Sequence, residues 1–121
     1  MVEFKVDPVA KPRMTRRDIW SKRKCVIKYF SFKDKLVLLA KEKKFKLPDK
    51  YKVEFLIKMP ESWSVKKKLL FAGQPHKCRP DLDNMIKSLN DCLLKEDSTV
   101  WSVTASKIWW DEGKIIIYTG T

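Results

Sequence analysis

Tyr51-Lys52-Val53-Glu54-Phe55-Leu56-Ile57-Lys58-Met59 decides the fold class. Tyr51, Val53, Phe55, Ile57 and Met59 alternate with Lys52, Glu54 and Lys58, and a period of two puts the first set on one face of a strand. Pro60 ends the run. A strand with one apolar face needs neighbours to pair with and a layer to cover it. Upstream, Val2, Phe4 and Val6 alternate with Glu3 and Lys5 as far as Pro8, which predicts a short strand. Residues 18–45 then predict a helix, with a candidate break near Ser31. Its apolar stripe would draw on Ile19, Val26, Tyr29, Phe30, Leu36, Val37, Leu39 and Ala40, its cap would be Thr15 or Asp18, and Leu47-Pro48-Asp49 would turn the chain back.

Downstream of Pro60, Ser62 or Ser64 opens a short helix, Val65 to Phe71, closed near Gly73. Gln74 to Pro80 reads as a loop. Asp81 to Leu94 reads as the second strong helix, with Leu82, Met85, Ile86, Leu89 and Leu93 inward and Asp83, Lys87 and Asp91 on the opposite side at i, i+4 and i+8. Glu96-Asp97-Ser98 is a turn. Thr99 to Trp109 predicts a long strand with Trp101, Val103, Ala105 and Trp109 on one side, and Asp111-Glu112-Gly113 a hairpin loop into the strand Lys114 to Tyr118. The element order β-α-β-α-α-β-β makes an α+β domain: a mixed, largely antiparallel sheet packed against two main helices, with residues 1–121 as one domain.

The composition narrows the function. At 44% apolar residues the chain has material for a core. No apolar run approaches a membrane span, and Met1-Val2-Glu3-Phe4-Lys5 lacks the pattern of a signal peptide. Cys25, Cys78 and Cys92 form no Cys-x-x-Cys; with the lone His76 they argue against a zinc cluster and predict free thiols in a reducing compartment such as the cytoplasm. The formal net charge is +12, and between Lys11 and Lys46 fourteen Lys and Arg face three acids (Asp18, Asp34, Glu42), so this third holds a surplus of eleven charges. Such a field attracts nucleic acid or an anionic surface, against the plainer role of a solvated, solubilising face. Lys11, Arg13, Arg16 and Arg17 in the first basic segment, Lys66, Lys67 and Lys68 in the short helix, and His76, Lys77 and Arg79 in the loop are the candidate phosphate contacts.

Within this basic chain, Arg79-Pro80-Asp81-Leu82-Asp83-Asn84-Met85-Ile86-Lys87 puts two carboxylates at a helix entry and a lysine one turn on. Magnesium takes hard oxygen ligands, commonly one or two carboxylates plus waters and substrate phosphate. Asp81 and Asp83 are the candidate ligands, Asp97 a third if the later turn folds back, and Lys87 the candidate group for the phosphoryl charge or the attacking water. Plainer roles compete: Asp81 as an N-cap, Asp83 as a complement to the helix dipole, and Asp83–Lys87 as an i,i+4 ion pair.

These residues resemble the RusA-like Holliday junction resolvases, common in bacteriophages and prophages. The resemblance rests on Asp81-Leu82-Asp83-Asn84, Lys87, Asp91 and Glu96-Asp97-Ser98-Thr99-Val100. It extends to Lys11-Pro12-Arg13-Met14-Thr15, Pro60-Glu61-Ser62-Trp63-Ser64, Lys66-Lys67-Lys68 and Pro75-His76. It implies a homodimeric endonuclease with magnesium, or manganese in its place, as cofactor. Such an enzyme nicks two strands of a four-way junction symmetrically and leaves ligatable ends. It implies Asp81, Asp83, Asp97 and Lys87 as the catalytic set. The chain departs from the family at Glu96, where Asp is usual, and in the short Leu93-Leu94-Lys95 link before it. Two other functions remain open on the residues: a non-catalytic basic DNA-binding module, and a metal nuclease for other branched DNA.

Overall fold

A computed structural model describes residues 1–13 and 23–119. The expected caps Thr15 and Asp18, the helix start at 18 and the stripe residue Ile19 lie outside the described residues. In chain order the elements are β1 (Val2–Phe4), α1 (Lys24–Glu42), β2 (Lys50–Lys58), α2 (Val65–Phe71), α3 (Leu82–Leu93), a 3-10 turn (Asp97–Thr99), β3 (Ser102–Trp110) and β4 (Lys114–Tyr118). The fold is α+β, as the periodicity predicts. The strands form one mixed sheet in the order β1-β4-β2-β3. β1 with β4 and β4 with β2 are antiparallel, and β2 with β3 is parallel.

The parallel pair corrects one expectation. Asp111 to Gly113 does reverse the chain, but β4 does not pair with β3. It passes to the far side of β2, where Phe55 faces Ile115 and Val53 faces Ile117. The reason is burial: β2 buries more residues than any other strand, and both flanking strands complete their inner faces against it. Tyr51, Val53, Phe55, Ile115 and Ile117 are all buried there, each worth about 1.5–3 kcal/mol in removed apolar surface. The loop is tight. A Cβ on Gly113 would stand 2.8 Å from the backbone Cα of Asp7, so only glycine fits.

The two longer helices cover this face. α1 buries Val26, Tyr29, Phe32, Leu36 and Ala40, a three- and four-residue spacing that aligns one stripe. Phe32 takes the place that Phe30 was expected to fill; Phe30 is exposed. No break occurs at Ser31. α1 ends where Lys44 turns left-handed at φ 52: Phe45 N–H donates to Ala40 O at 2.9 Å and Lys44 N–H to Lys41 O at 3.1 Å, a Schellman close with lysine where glycine is usual. α3 buries Met85, Ser88, Leu89 and Cys92. Tyr51 on β2 anchors it, its hydroxyl donating to Asn90 Oδ1. Burial pushes the Tyr51 phenol up to about 12, although the Asn90 bond works against the shift.

α2 buries none of its residues, and Ser64 caps it, its Oγ accepting from Lys67 N–H at 3.1 Å. The strand expected from Thr99 begins at Ser102, because Asp97–Thr99 coils into the 3-10 turn. Cys25 and Cys78 are exposed free thiols and Cys92 is a buried one. Among the described residues no helix is long and apolar enough to cross a membrane.

Candidate active site at the entry to α3

The site begins with the segment that leads into α3. Gly73 to His76 runs antiparallel along the outer edge of β3: Gly73 N–H donates to Trp109 O at 2.8 Å, Trp109 N–H to Gln74 O at 3.0 Å, and His76 N–H to Lys107 O at 3.0 Å. The His76 ring lies 4.3 Å from that of Trp109, Trp109 lies 4.8 Å from Trp63, and Trp63 lies 5.2 Å from Phe71. This aromatic ladder ties α2 to the same loop. Further along, the ammonium of Lys107 donates to Cys78 O at 2.5 Å and Pro80 O at 2.6 Å. The Arg79–Pro80 peptide is cis. Asp81 follows at once, at the N-cap position.

Of the three plainer roles one is realised: Asp83 stands in the first turn of α3, where it complements the helix dipole, whereas the side-chain cap and the ion pair are not made. The Asp81 side chain makes no capping hydrogen bond. Among the described residues, no ion pair joins Asp83 to Lys87, although i,i+4 spacing would allow one. Asp81, Asp83 and Lys87 are all exposed. Two carboxylates at a pinned helix entry thus remain open to solvent and to whatever cation or phosphate arrives.

A furrow runs from this entry along α3. Arg79, Pro80, Asp81 and Asn84 line its first recess. Asn84 and Lys87 line the next, together with Lys11, Pro12 and Arg13. Lys11 also lines a third, with Lys33, Asp91, Lys95 and Asp97. Asn84 and Lys11 are therefore the shared walls that join the recesses. Asp83 lines none of them and stands at the rim. Asp97 lies at the far end, and among the described residues no three of His, Cys, Asp and Glu gather where one ion would touch them all. The structure does not bring Asp81, Asp83 and Asp97 into a single ligand set. Asp81 and Asp83 still fit a magnesium ion by chemistry: hard oxygens, one or two per site, with the remaining positions left for water and phosphate.

The expected phosphate contacts divide. Arg13, Lys66, Lys77 and Arg79 are exposed. Lys67 stands 4.2 Å over the Trp63 ring, and Lys68 lies 3.9 Å from Glu61. Lys11 Nζ meets Asp91 Oδ2 at 2.5 Å, so its charge is largely matched. Arg16 and Arg17 lie outside the described residues. His76 does not stand where a phosphate contact must. It is 4% exposed, because the loop folds its ring onto Trp109. Its Nε2 lies 3.4 Å from Cys78 Sγ, and its Nδ1 has no partner among the described residues. Burial, helped by the Lys107 charge, pulls its pKa below the ordinary histidine value.

Two residues were missed in the sequence. Asn84 sits inside the quoted motif and joins two recesses. Lys107 left a clearer trace: it interrupts the apolar alternation Val103, Ala105, Trp109, a position where a lysine stem needs a partner for its charge. No curated protein matches the chain. The family model of endodeoxyribonuclease RusA matches residues 4–118; with the carboxylates, the lysine and the basic surface at hand, the chain belongs to the RusA endodeoxyribonuclease family, whose members act on Holliday junctions.

Proposed function

We propose that this single domain is a divalent-metal-dependent, structure-selective endonuclease that resolves four-way DNA junctions by paired symmetric nicks. The observation that carries the reading is the state of Asp81 and Asp83: two exposed carboxylates at a fastened helix entry, neither a cap nor an ion-pair partner, beside a furrow lined with Arg79, Arg13 and Lys87. Clustered acids in a chain of net charge +12 would otherwise repel the phosphates that the rest of the surface attracts. A bound cation reverses that sign locally.

Asp81 and Asp83 would hold magnesium, with manganese as its substitute. When bound, such an ion neutralises phosphoryl charge and lowers the pKa of water. The residues of the chain do the rest. Arg13, Arg79, Lys66 and Lys77 hold the backbone through phosphates without reading bases. Lys87, one turn beyond Asp83, donates to a phosphoryl oxygen as charge grows on it during in-line attack by water. The bond to the leaving oxygen breaks on the opposite side. Asp97 lies at the far end of the furrow and would complete the carboxylate set once substrate and cation draw the turn after α3 inward. Two nicks at equivalent strands require two equal sites, which a two-fold homodimer supplies.

The test is cleavage of a synthetic four-way junction with magnesium, beside a flap and a linear duplex. Paired cuts in the junction are expected, lost in EDTA and in Asp83→Asn, with junction binding retained by that variant. Intact junctions under all metal conditions would overturn the nuclease reading. Cleavage of flaps alone would shift the substrate to other branched DNA.

A further inference from the structure

Lys107 does something that neither the basic field nor the carboxylates explain. It stands on β3 opposite Phe55 in the parallel register, on the face where Val103 and Ala105 pack against the core. A lysine there sets an ammonium beside apolar neighbours, which is unfavourable unless the charge is fully used. It is used on the loop before α3. An ammonium has three donors; two go to Cys78 O at 2.5 Å and Pro80 O at 2.6 Å. Both acceptors are main-chain carbonyls within the three residues ahead of Asp81. The Pro80 carbonyl belongs to the very peptide unit that carries the Asp81 N–H.

We infer that Lys107 is a positioning residue for cleavage: by gripping the Cys78 and Pro80 carbonyls it fixes where Asp81 stands relative to Asp83. This rests on the reading of those two acids as the metal-holding pair. The grip differs in kind from the other attachments of the loop. The ladder to β3 ends at His76, and the ring of His76 rests on Trp109. Between His76 and the first turn of α3, among the described residues, Lys107 makes the only hydrogen bonds from elsewhere in the fold to the main chain. Water can replace a lysine at two surface carbonyls and satisfy them equally well, but water is not attached to β3. Losing the ammonium therefore leaves the carbonyls solvated and Asp81 free to wander, while Asp83 stays on α3, whose first turn is also held by Lys11 N–H donating to Asn84 O at 3.2 Å. Displacement of a reacting group by about 1 Å costs on the order of a hundredfold in rate.

The experiment compares Lys107→Met, Lys107→Arg and Asp83→Asn with the wild-type chain. Lys107→Met keeps the stem that packs on β3 and removes only the grip. Its kcat on a four-way junction is expected to fall about 10- to 100-fold, its half-saturating magnesium concentration to rise, and its junction Kd to stay within about twofold because no phosphate contact is lost. Amide hydrogen exchange in the segment 78–83, measured without metal or DNA, should quicken in Lys107→Met while α1 and β2 keep their protection. Lys107→Arg, which can still reach both carbonyls, should recover part of the rate and protection. It also guards against a simple folding defect. Wild-type turnover and magnesium dependence in Lys107→Met would overturn the inference, as would unchanged exchange at 78–83. Weakened junction binding with intact kcat would overturn it too, by making Lys107 a phosphate contact. Asp83→Asn separates the two levels. If it still cleaves, the site itself has been misassigned; if it is inactive while Lys107→Met is normal, only the clamp fails.

Discussion

α3 is entered and left by segments that each carry a carboxylate to the furrow, and the two are built differently. The entry, Gln74 to Pro80, is bonded along β3, stacked on Trp109 and gripped by Lys107. The exit, from Leu94 to Val100, holds mostly to itself: Leu94 N–H donates to Asn90 O, Ser98 Oγ to Glu96 Oε1, Thr99 Oγ1 to Glu96 O and Val100 N–H to Asp97 O. Its first main-chain bond to another part of the fold is Trp101 N–H to Asp49 O at 3.0 Å. The difference teaches how such a site is organised. Asp81 and Asp83 are set by long-range contacts before any ligand arrives. The hydrogen bonds around Asp97 are local, with only Leu94 and Val100 packed on the core at its two ends, and segments held that way open most readily.

The sharpest way to break this comparison is to titrate magnesium in the absence of DNA. Asp81→Asn or Asp83→Asn should abolish measurable binding and lower cleavage by at least about a hundredfold, the scale of losing a group that acts on transition-state charge. Asp97→Asn should leave DNA-free binding within about twofold and still lower cleavage. Equal losses of binding in all three would show that entry and exit are assembled together from the start.

Loosening the entry comes next. Trp109→Ala removes the ring on which His76 and Trp63 both rest and should cost about 2–3 kcal/mol in urea unfolding. Leu94→Ala at the exit, half-buried, should cost less. The reverse order would contradict the contrast between the two segments.

Salt dependence sharpens it further. Arg13 is exposed, whereas Lys11 in the same recess is matched by Asp91. Arg13→Ala should lower the log–log salt slope of junction binding by about 0.9, and Lys11→Ala by clearly less, because the Asp91 carboxylate already offsets its charge.

The smallest effect concerns pH. The His76 pKa lies below its ordinary value of 6.5, from burial first and the Lys107 charge second. The unfolded chain therefore binds this proton more readily than the folded one. Stability should rise with pH, be complete above about 6.5, and decline as pH falls through that value towards the lower folded pKa. His76→Gln should flatten that part of the curve; a wild-type curve unchanged from pH 7.5 to 5.5 would mean that the ring is not held neutral by the loop.

The sequence made much of this legible. Alternation predicted β1 and β2 because a two-residue period has one meaning when one face is buried. α3 was legible from the spacing of Met85 and Leu89. The Asp81-x-Asp83 motif was legible because acids stand out in a basic chain, and Lys87 because it follows Asp83 by one helical turn. His76 was not: a lone histidine in a polar loop carries no local sign that Trp109 will cover it. The Lys11–Asp91 pair spans 80 positions, and nothing near either residue announces the other.

By itself, then, the sequence determined the elements, the α+β class, the basic surface and the acids with their lysine, since propensity, periodicity and charge are properties of neighbours along the chain. Only the tertiary structure decided that β4 crosses to the far side of β2, that Lys107 reaches the carbonyls ahead of Asp81, and that Asp97 stands apart from Asp81 and Asp83. Each depends on residues distant in sequence sharing one space. The physical reason is the same in all three: burial of the sheet's inner face chooses which strands meet, and only then do the side chains at their ends find, or fail to find, one another.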